Sequence, residues 1–461
     1  ESDTMTPSVL RYSDQIPQMA PQMDFNYVSM IPSNGAVFSA NQEVRIPINV
    51  AADSFVDMKR AYIRFKVANT AAAGGNHSLI ALDPICGAAS FISRFAVVGG
   101  TGNLLEEIQH YDALVSVMNI NKNENVIQSR GSITMGTSQA PMSAVSISNV
   151  AGNAVAALGG KQTIEAQTSK VFYHEPVSAV FNADKLMPWG YTQGTSYVSL
   201  TLNSATGGAC QFNNSTNDVA WEISEWELFL PVLRPGAEFA NNFRTLIQSG
   251  LPINIHSVGF QNSQQNIAEN ATGMQTVTFS TRKRSVKSVF TALRVNAQLS
   301  SKLVNSSSGF KNNNATDYQY SVGGRRIPSA PIRLSTVSNA NSIGAVDIGG
   351  CYNNTLMALG HYDSNLRGST SDSSTAGSAY AQTVTNDPTL SSKCVFALDL
   401  EQYNEGLSGM NLAGQGLPLV LHLNCGATGA ASTGALVADL YVVHDVIFTL
   451  DGVSGTLSAS S

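Results

Sequence analysis

The sequence repeats a series of short segments, each about 220 residues after its first occurrence, and this repeat limits the folds that the chain can adopt. Five segments recur in the same order. They are residues 58–67 and 286–295, 95–100 and 319–324, 171–172 and 395–396, 197–204 and 419–425, and 220–233 and 438–450. Because recurrence in constant order at nearly constant spacing is the signature of a duplicated structural unit, the sequence predicts two copies of one fold.

The repeated segments have the residue pattern of β-strands. Apolar and polar residues alternate in Tyr197–Leu202, in Leu419–Leu423 and over residues 62–67, and clusters of Gly, Asn and Ser separate such runs. Alternation puts one face of a strand in a core and the other in solvent or in a contact. A unit of this size with roughly eight strands is typical of a jelly roll, in which Greek keys form two facing sheets. The predicted fold class is therefore all-β, with two consecutive eight-stranded jelly rolls (a double jelly roll) and few short helices in connecting loops.

The repeat also predicts the domain boundaries. Residues 1–23 contain three prolines and no periodicity, and we expect an extended N-terminal arm that can become ordered on a neighbouring subunit. The first jelly roll is expected over 24–235 and the second over 236–461. The joint lies at Pro231–Gly236, where two prolines and a glycine follow a strand.

Few segments have helical periodicity. Apolar residues recur at a spacing near 3.6 over Leu104–Asn119, which predicts a helix, and Phe239–Gln248 has the pattern of a shorter one. Long polar, glycine-rich stretches are predicted as loops, and loops of such length usually carry contacts. These stretches are 68–78, 121–168, 203–218, 296–316 and 364–392.

The chain is poor in charge. Charged residues make up 13% of the 461 residues, about half the usual share. A surface of small neutral polar groups loses its water at low cost, which suits repeated contact with copies of the same chain. The formal net charge of −6 argues against neutralising nucleic-acid phosphates as the main task, so specific nucleic-acid binding is not expected.

The cysteines and the hydropathy restrict the setting in which the chain works. The five cysteines are far apart and form no CxxC, so we expect free thiols in a reducing compartment rather than disulfides or a zinc site. No apolar run of about 18 residues is present, so no transmembrane segment is expected. The first residues lack the basic and apolar parts of a signal peptide. The cysteines are Cys86, Cys210, Cys351, Cys394 and Cys425.

The strongest enzyme-like motif is the glycine-rich segment Val97–Leu105, which precedes the predicted helix. A glycine-rich turn between a strand and a helix can bind a pyrophosphate on backbone N–H groups. Here Leu105 stands where the third glycine of GxGxxG belongs, and no alternation of strands and helices follows. We therefore expect a structural turn. The rival interpretation, a nicotinamide-dependent enzyme, is tested by calorimetric titration with nucleotide.

Other chemically active residues have simple interpretations. None of the seven histidines forms HxH or HExxH, so no metal site is expected. Glu225 and Glu227 could act as paired carboxylates, but a solvated or ion-paired strand edge is favoured. The basic run Thr281–Lys287 is expected to form a solvated turn, and Trp189 to anchor its loop. We therefore predict no catalytic, cofactor-binding or metal-binding residues.

Two segments of the second half resemble a known family. They are Asp317–Ile332 (DYQYSVGGRRIPSAPI) and 396–411, which contains FALDLE and SGMN. Together with the strand pair at 44–50 and 55–67, they make the chain similar to the double jelly-roll major capsid proteins of eukaryotic double-stranded DNA viruses, nearest to those of polinton-like viruses and virophages. The resemblance implies a homotrimer that forms a pseudo-hexameric capsomer and tiles an icosahedral shell, with penton and minor capsid or cement proteins as partners. It carries over no catalytic residue.

We therefore predict a structural protein of the virion shell, which is not an enzyme and needs no cofactor. The main alternative is a secreted or spike-like β-sandwich that binds glycans or a receptor. A signal peptide or disulfides would favour that alternative, and the sequence has the pattern of neither. A capsid protein of another lineage, with two unrelated domains, is a further alternative that the oligomeric state tests.

Overall fold

The structure, a computed structural model, describes most of the chain. The described residues are 23–71, 80–83, 85–120, 122, 127–137, 163–204, 220–268, 273–296, 299, 307–313, 315–334, 349–360, 394–402, 407–413, 418–425 and 434–461. The predicted N-terminal arm, apart from Met23, and most of the predicted long loops lie outside these residues.

Eight principal strands form the first half of the fold. They are β1 (Met23–Met30), β2 (Glu43–Ile48), β3 (Tyr62–Asn69), β4 (Ile92–Val98), β5 (Leu104–Gln109), β6 (Ser169–His174), β7 (Ser196–Leu202) and β8 (Trp221–Pro235). They pair antiparallel in two sheets, one in the order β1-β8-β3-β6 and the other in the order β2-β7-β4-β5. Strands adjacent in sequence thus lie mostly in opposite sheets, as in a jelly roll.

Eight further strands form the second half. They are β9 (Ile253–Ala268), β10 (Gly273–Phe279), β11 (Val286–Val295), β12 (Ala315–Val322), β13 (Arg325–Arg333), β14 (Val395–Asp399), β15 (Leu419–Cys425) and β16 (Ala435–Leu450). Their sheets have the orders β9-β16-β11-β14 and β10-β15-β12-β13. We call the two halves the first roll and the second roll.

The two rolls have the same strand order. Adding eight to each strand number of the first roll reproduces both sheets of the second. Each of the five repeated sequence segments falls on a pair of equivalent strands, namely β3 and β11, β4 and β12, β6 and β14, β7 and β15, and β8 and β16. The prediction of two consecutive eight-stranded jelly rolls is confirmed.

Short helices connect some of the strands. Helix α1 (Tyr111–Asn119) follows β5, α2 (Ala237–Gln248) joins the rolls, and α3 (Gly349–Ala358) follows β13. The helix predicted at Phe239–Gln248 is therefore confirmed. In the described part of the chain, no helix has the length and hydropathy needed to cross a membrane. Shorter helical turns lie at 58–60, 88–91, 127–134, 180–182 and 189–191, and short strands at 37–38, 55–56, 80–81, 163–164 and 457–460.

The helix predicted at Leu104–Asn119 is wrong over its first part. Residues 104–109 form β5, which pairs with β4, and only Tyr111–Asn119 is helical. The apolar residues of β5 fit a period of 3.6 because so short a segment cannot separate that period from a period of two. Pairing with β4 then decides its conformation. His110, at a left-handed φ of 49°, lies between the strand and the helix.

Alternating residues of the strands fill the space between the two sheets of each roll. In the first roll, Ile63 and Phe65 of β3 are fully buried, and Phe65 stacks on Trp226 of β8 with ring centroids 4.5 Å apart. In the second roll, the buried Tyr320 hydroxyl bonds to the carbonyl oxygen of Phe396 at 2.9 Å, so its polar end is satisfied inside the core. Each large apolar side chain buried in this way contributes about 1.5–3 kcal/mol.

Candidate assembly surfaces and the seam between the rolls

The sheet β9-β16-β11-β14 of the second roll is buried on both faces. Its inward face fills the core of its own roll, where Leu293 is fully buried. Its outward face carries Phe290, Ala292 and Tyr441, which belong to the hydrophobic cluster of the first roll. We call the contact between this outward face and the first roll the seam. The first roll contributes β5, the start of α1 and the helical turn 180–182.

A buried ion pair lies in the seam. The Arg294 Nε donates to the Asp439 carboxylate at 2.6 Å, and both side chains are almost fully buried. Arg294 also lies 3.2 Å from His110 Nδ1, and the Tyr441 hydroxyl donates to the His110 carbonyl oxygen at 2.9 Å. Burial alone would lower the pKa of Arg294, but the nearby carboxylates outweigh burial and raise it. The charged guanidinium therefore ties β11 and β16 to the start of α1.

A buried carboxylate, Glu106 of β5, accepts hydrogen bonds from both rolls. The Ser178 hydroxyl and the Ala179 amide donate to it from the first roll, the amide at 2.7 Å. The Phe260 amide of β9 approaches it at 3.5 Å. Burial raises the pKa of Glu106, and these hydrogen bonds oppose the rise. The Ser257 hydroxyl of β9 donates to the Ala179 carbonyl oxygen at 2.6 Å, so side chains and turns join β5 to β9.

The segment 307–313, which follows β11, also reaches the first roll. The Ser307 hydroxyl donates to the Asp112 carboxylate at 2.6 Å, and the Ser308 hydroxyl donates to the Asp83 carboxylate at 2.7 Å. Both carboxylates are buried. Because a buried carboxylate without hydrogen bonds is costly, the first roll relies on this segment of the second.

At the edge of the seam, His256 of β9 links a carboxylate of each roll. Its Nδ1 lies 2.6 Å from Asp184 of the first roll, and its Nε2 lies 2.8 Å from Asp445 of the second. An imidazole donates from both nitrogens only when it is protonated. Partial burial disfavours that charge, but the two carboxylates outweigh burial and raise the pKa of His256. Lys59 beside Asp184 and Lys287 beside Asp445 complete the charge cluster.

The His256 link predicts a pH-dependent stability. The folded-state pKa of His256 lies above the ordinary value of about 6.5. The stabilisation of the folded protein by this link is therefore complete below about pH 6.5 and is lost as the pH rises through the folded-state pKa. We expect the free energy of unfolding to fall over this range in the unaltered chain and to fall less in His256→Gln. Urea unfolding at a series of pH values measures both slopes. His422→Gln is the control, since His422 bonds to Ser321 away from the seam. Burial lowers the pKa of His422, so its removal should not lessen the fall; a fall as large in His256→Gln as in the unaltered chain would refute the link.

The equivalent sheet of the first roll, β1-β8-β3-β6, has its outward face open to solvent. At its centre Tyr62 stacks on Phe229 with ring centroids 4.9 Å apart. Around them, the Lys66 Nζ lies 2.9 Å and the Arg64 Nη2 lies 3.1 Å from the Glu225 carboxylate. We call the surface formed by these five residues the first outer face. An aromatic centre within a border of charged groups is typical of protein interfaces.

The glutamates of β8 are ion-paired, as expected. Glu225 lies in a bulge of β8 at a φ of 51°, and Glu227 lies 3.4 Å from the Arg64 guanidinium that also binds Glu225. Each carboxylate therefore neutralises a cation of β3, so the expected ion pairing is confirmed. The expected edge position is wrong, because β8 lies between β1 and β3 in its sheet.

The glycine-rich segment after β4 forms the turn of the β4–β5 hairpin. The Gly99 amide donates to the Asn103 carbonyl oxygen at 2.8 Å, and the Gly102 amide donates to the Gly99 carbonyl oxygen at 2.9 Å. Gly100 is required by close approach, because a Cβ there would lie 2.1 Å from the Gln193 carbonyl oxygen. A strand follows where a dinucleotide site has a helix. The interpretation as a structural turn is confirmed.

The described histidines form hydrogen bonds within the protein. His174 Nε2 lies 2.7 Å from the Tyr111 hydroxyl in the core of the first roll, and burial lowers the pKa of His174 to about 3. No group of three His, Cys, Asp or Glu side chains suited to a metal ion occurs among the residues that the structure describes. His77 and His361 lie outside those residues.

The basic run between β10 and β11 is only partly a solvated turn. Arg282 and Arg284 are exposed, as expected. Lys283 instead donates to the Ser461 hydroxyl at 2.6 Å, and Lys287 lies 3.0 Å from the Glu401 carboxylate. The prediction is therefore wrong for the two lysines, because the turn packs against other parts of the second roll.

The tryptophan and the cysteines contribute to the cores. Trp189 is buried in the hydrophobic cluster of the first roll, so it packs against its own roll. Four of the cysteines are buried thiols that form no disulfide, and the fifth, Cys210, lies outside the described residues. The four are Cys86, Cys351, Cys394 and Cys425.

The seam residues Arg294, Asp439 and Glu106 belong to no sequence motif. The sequence feature that indicates the seam is the composition of β11, which has apolar residues on both of its faces. That composition is typical of a strand buried on both faces.

Comparison with solved structures gives matches over nearly the whole chain at low sequence identity. A chain of the PBCV-1 virus capsid aligns over 97% of this chain and 99% of its own length, with a TM-score of 0.58 and 11% identity. The Faustovirus major capsid protein aligns over 97% and 94%, with a TM-score of 0.55 and 10% identity. A chain of the Sputnik virophage aligns over 99% and 92%, with a TM-score of 0.54 and 12% identity. No protein-family model and no curated protein matches the sequence.

These matches extend over both rolls, and at such low identities they establish a shared fold. They agree with the sixteen-strand order and with the resemblance noted in the sequence. The chain has the double jelly-roll fold of viral major capsid proteins.

Proposed function

We propose that the chain is a major capsid protein of a double-stranded DNA virus, a structural protein that works without catalysis or cofactor. In this proposal three copies form a capsomer of six rolls with a nearly hexagonal outline, and such capsomers tile an icosahedral shell. The observation that carries the proposal is the duplication itself. Two rolls of one strand order, joined by a buried seam, allow a threefold assembly to present six similar units.

The composition of the surface supports self-assembly. A stable protein interface buries about 1,600 Å², and with only 13% charged residues this chain loses little free energy when such an area loses its water. Edge strand β1 exposes Phe25 and Tyr27, and the Arg60 guanidinium lies over the Phe25 ring at 5.8 Å. Exposed aromatic groups with an arginine are frequent in protein contacts.

The proposal extends to the domain boundaries, the partners and the location of the protein. Residues 1–23 act as an arm, and the rolls occupy 24–235 and 236–461. The partners are copies of the chain, penton proteins and minor capsid or cement proteins, and the net charge of −6 argues against specific nucleic-acid binding. The protein resides in the virion and assembles in a reducing compartment, which the four buried cysteines without disulfides support.

The proposal predicts the mass and shape of the purified protein. Sedimentation and light scattering should give a particle of three chains, and electron microscopy should show hexagonal plates or shells. A particle that stays a single chain at every accessible concentration would contradict the proposal, and so would saturable heat on titration with a nicotinamide nucleotide.

A further inference from the structure

A polar cavity of about 90 Å³ lies in the first roll between helix α1, the helical turn 127–134 and the end of β6. Val115 and Asn119 of α1 line one side of it, and Tyr173 and His174 of β6 line another. One water molecule needs about 10–15 Å³ of such space, so the cavity has room for several waters or for one small ligand. Shell building makes no use of this cavity.

His174 brings an unpaired nitrogen to the wall of the cavity. Its side chain is 1% exposed, and its Nε2 lies 2.7 Å from the Tyr111 hydroxyl. Its Nδ1 is shielded from water, yet it has no hydrogen-bond partner among the residues that the structure describes. Buried polar atoms in native proteins nearly always bond to the protein, to a water or to an ion. The partner of Nδ1 is therefore expected in the cavity.

The hydrogen bonds of Tyr111 identify the unpaired nitrogen as a donor. The Val177 amide donates to the Tyr111 oxygen at 2.8 Å, and His174 Nε2 is the second partner of that hydroxyl. The hydroxyl proton has an acceptor only if Nε2 carries no proton, and a buried hydroxyl without an acceptor is costly. Because burial lowers the pKa of His174 to about 3, the ring is neutral and its one proton lies on Nδ1. The cavity therefore contains an N–H group that needs an acceptor.

Two cations line the same cavity. They are Lys122 and Arg130, and the described lining residues include one carboxylate, that of Glu175. Glu175 pairs with Arg130, whereas Lys122 belongs to no ion pair within the described part of the chain. Loss of hydration around the Lys122 amine and the nearby charge of Arg130 both lower the pKa of Lys122. An anion in the cavity would oppose both effects, which a water would not.

We propose that this cavity binds a small oxyanion, such as phosphate. The His174 Nδ1–H and the Lys122 ammonium donate to the anion, and the Arg130 guanidinium adds a positive charge beside it. Hydrogen bonds in which one partner is charged are about twice as strong as those between neutral groups. The anion thereby satisfies the buried donor and the unpaired cation together, and it joins α1, the turn 127–134 and β6.

Calorimetric titration of the full chain with inorganic phosphate, in a buffer without other oxyanions and at constant ionic strength, tests the site. We expect saturable heat with one phosphate per chain. Lys122→Met should weaken this binding about tenfold or more, as expected for the loss of a hydrogen bond between charged groups. Lys185→Met is the matched control, because Lys185 is an exposed lysine of the first roll that does not line the cavity. It should bind phosphate like the unaltered chain.

A second variant removes the buried donor. His174→Phe keeps an aromatic ring but lacks the N–H group, so we expect it also to weaken the binding of phosphate. Circular dichroism verifies its fold, and if it folds poorly, the exposed Lys122→Met decides the test alone. Acetate in place of phosphate shows whether the site also accepts a carboxylate group.

Thermal unfolding gives an independent measurement. A ligand that binds only the folded chain raises its Tm in a saturable way, whereas the general stabilising effect of phosphate salts is shared by all variants. We therefore expect phosphate to raise the Tm of the unaltered chain and of Lys185→Met more than that of Lys122→Met. Absence of saturable heat, or equal affinities in Lys122→Met and the unaltered chain, overturns the inference and leaves water as the partner of His174. Neither result bears on the proposed function, which makes no use of this site.

Discussion

Replacing Arg294 by alanine should lower the free energy of unfolding by about 3–5 kcal/mol. The substitution leaves the Asp439 carboxylate, which is fully buried, without its cation. It also removes the donor that faces His110 across the seam. A buried charge without a partner keeps the full cost of its lost hydration, so the loss exceeds the worth of a single hydrogen bond. Urea unfolding of dilute single chains, at one fixed protein concentration, measures the effect.

Two further variants test whether the loss of stability comes from the unpaired buried charge. Lys66→Ala removes the equivalent cation of β3, but the Glu225 carboxylate is accessible to water, so we expect a small loss beside that of Arg294→Ala. The double variant Arg294→Met, Asp439→Leu removes both buried charges, and it should be more stable than either single substitution. A loss in Lys66→Ala as large as in Arg294→Ala would show that the seam does not isolate its ion pair from water.

The rolls themselves could be predicted because their signals are local. Alternation in β7 and β15, and recurrence of five segments in one order, are read directly from neighbouring residues. The helix wrongly predicted over the first part of Leu104–Asn119 has a non-local origin. The six residues of β5 fit a helix by spacing, and their conformation is decided by pairing with β4, a contact that the spacing does not contain.

The seam could not be predicted, because it depends on contacts between residues far apart in the chain. His256 joins Asp184 and Asp445, and no local pattern distinguishes it from any other strand histidine. Lys66 and Arg294 occupy equivalent positions in matching segments, yet one side chain is partly open to water and the other is enclosed. The packing of the two rolls decides which copy of a repeated strand is covered. The sequence repeat treats the two copies alike, so it does not indicate which one is buried.

Phe290→Ala should destabilise the first roll, although Phe290 lies in a strand of the second. Its ring is fully buried in the hydrophobic cluster that the first roll shares with the seam. Removing it leaves a cavity, and such truncations cost about 3–5 kcal/mol. All three tryptophans of the chain, at positions 189, 221 and 226, lie in the first roll, so tryptophan fluorescence reports that roll alone. We expect Phe290→Ala to lower the urea concentration at the midpoint of the transition monitored by tryptophan fluorescence. The midpoint monitored by circular dichroism of the whole chain should fall by the same amount.

The equivalent substitution in the first roll is the matched control. Tyr62→Ala removes a partly exposed ring that stacks on Phe229, so we expect a loss of about 1 kcal/mol. If the rolls unfolded independently, Phe290→Ala would leave the fluorescence transition where it is and shift only the part of the dichroism that belongs to the second roll. A common shift instead means that the two rolls unfold together. Shared unfolding follows from the geometry of the seam, because one sheet supplies a face to each of two cores, and neither core is complete when that sheet is lost.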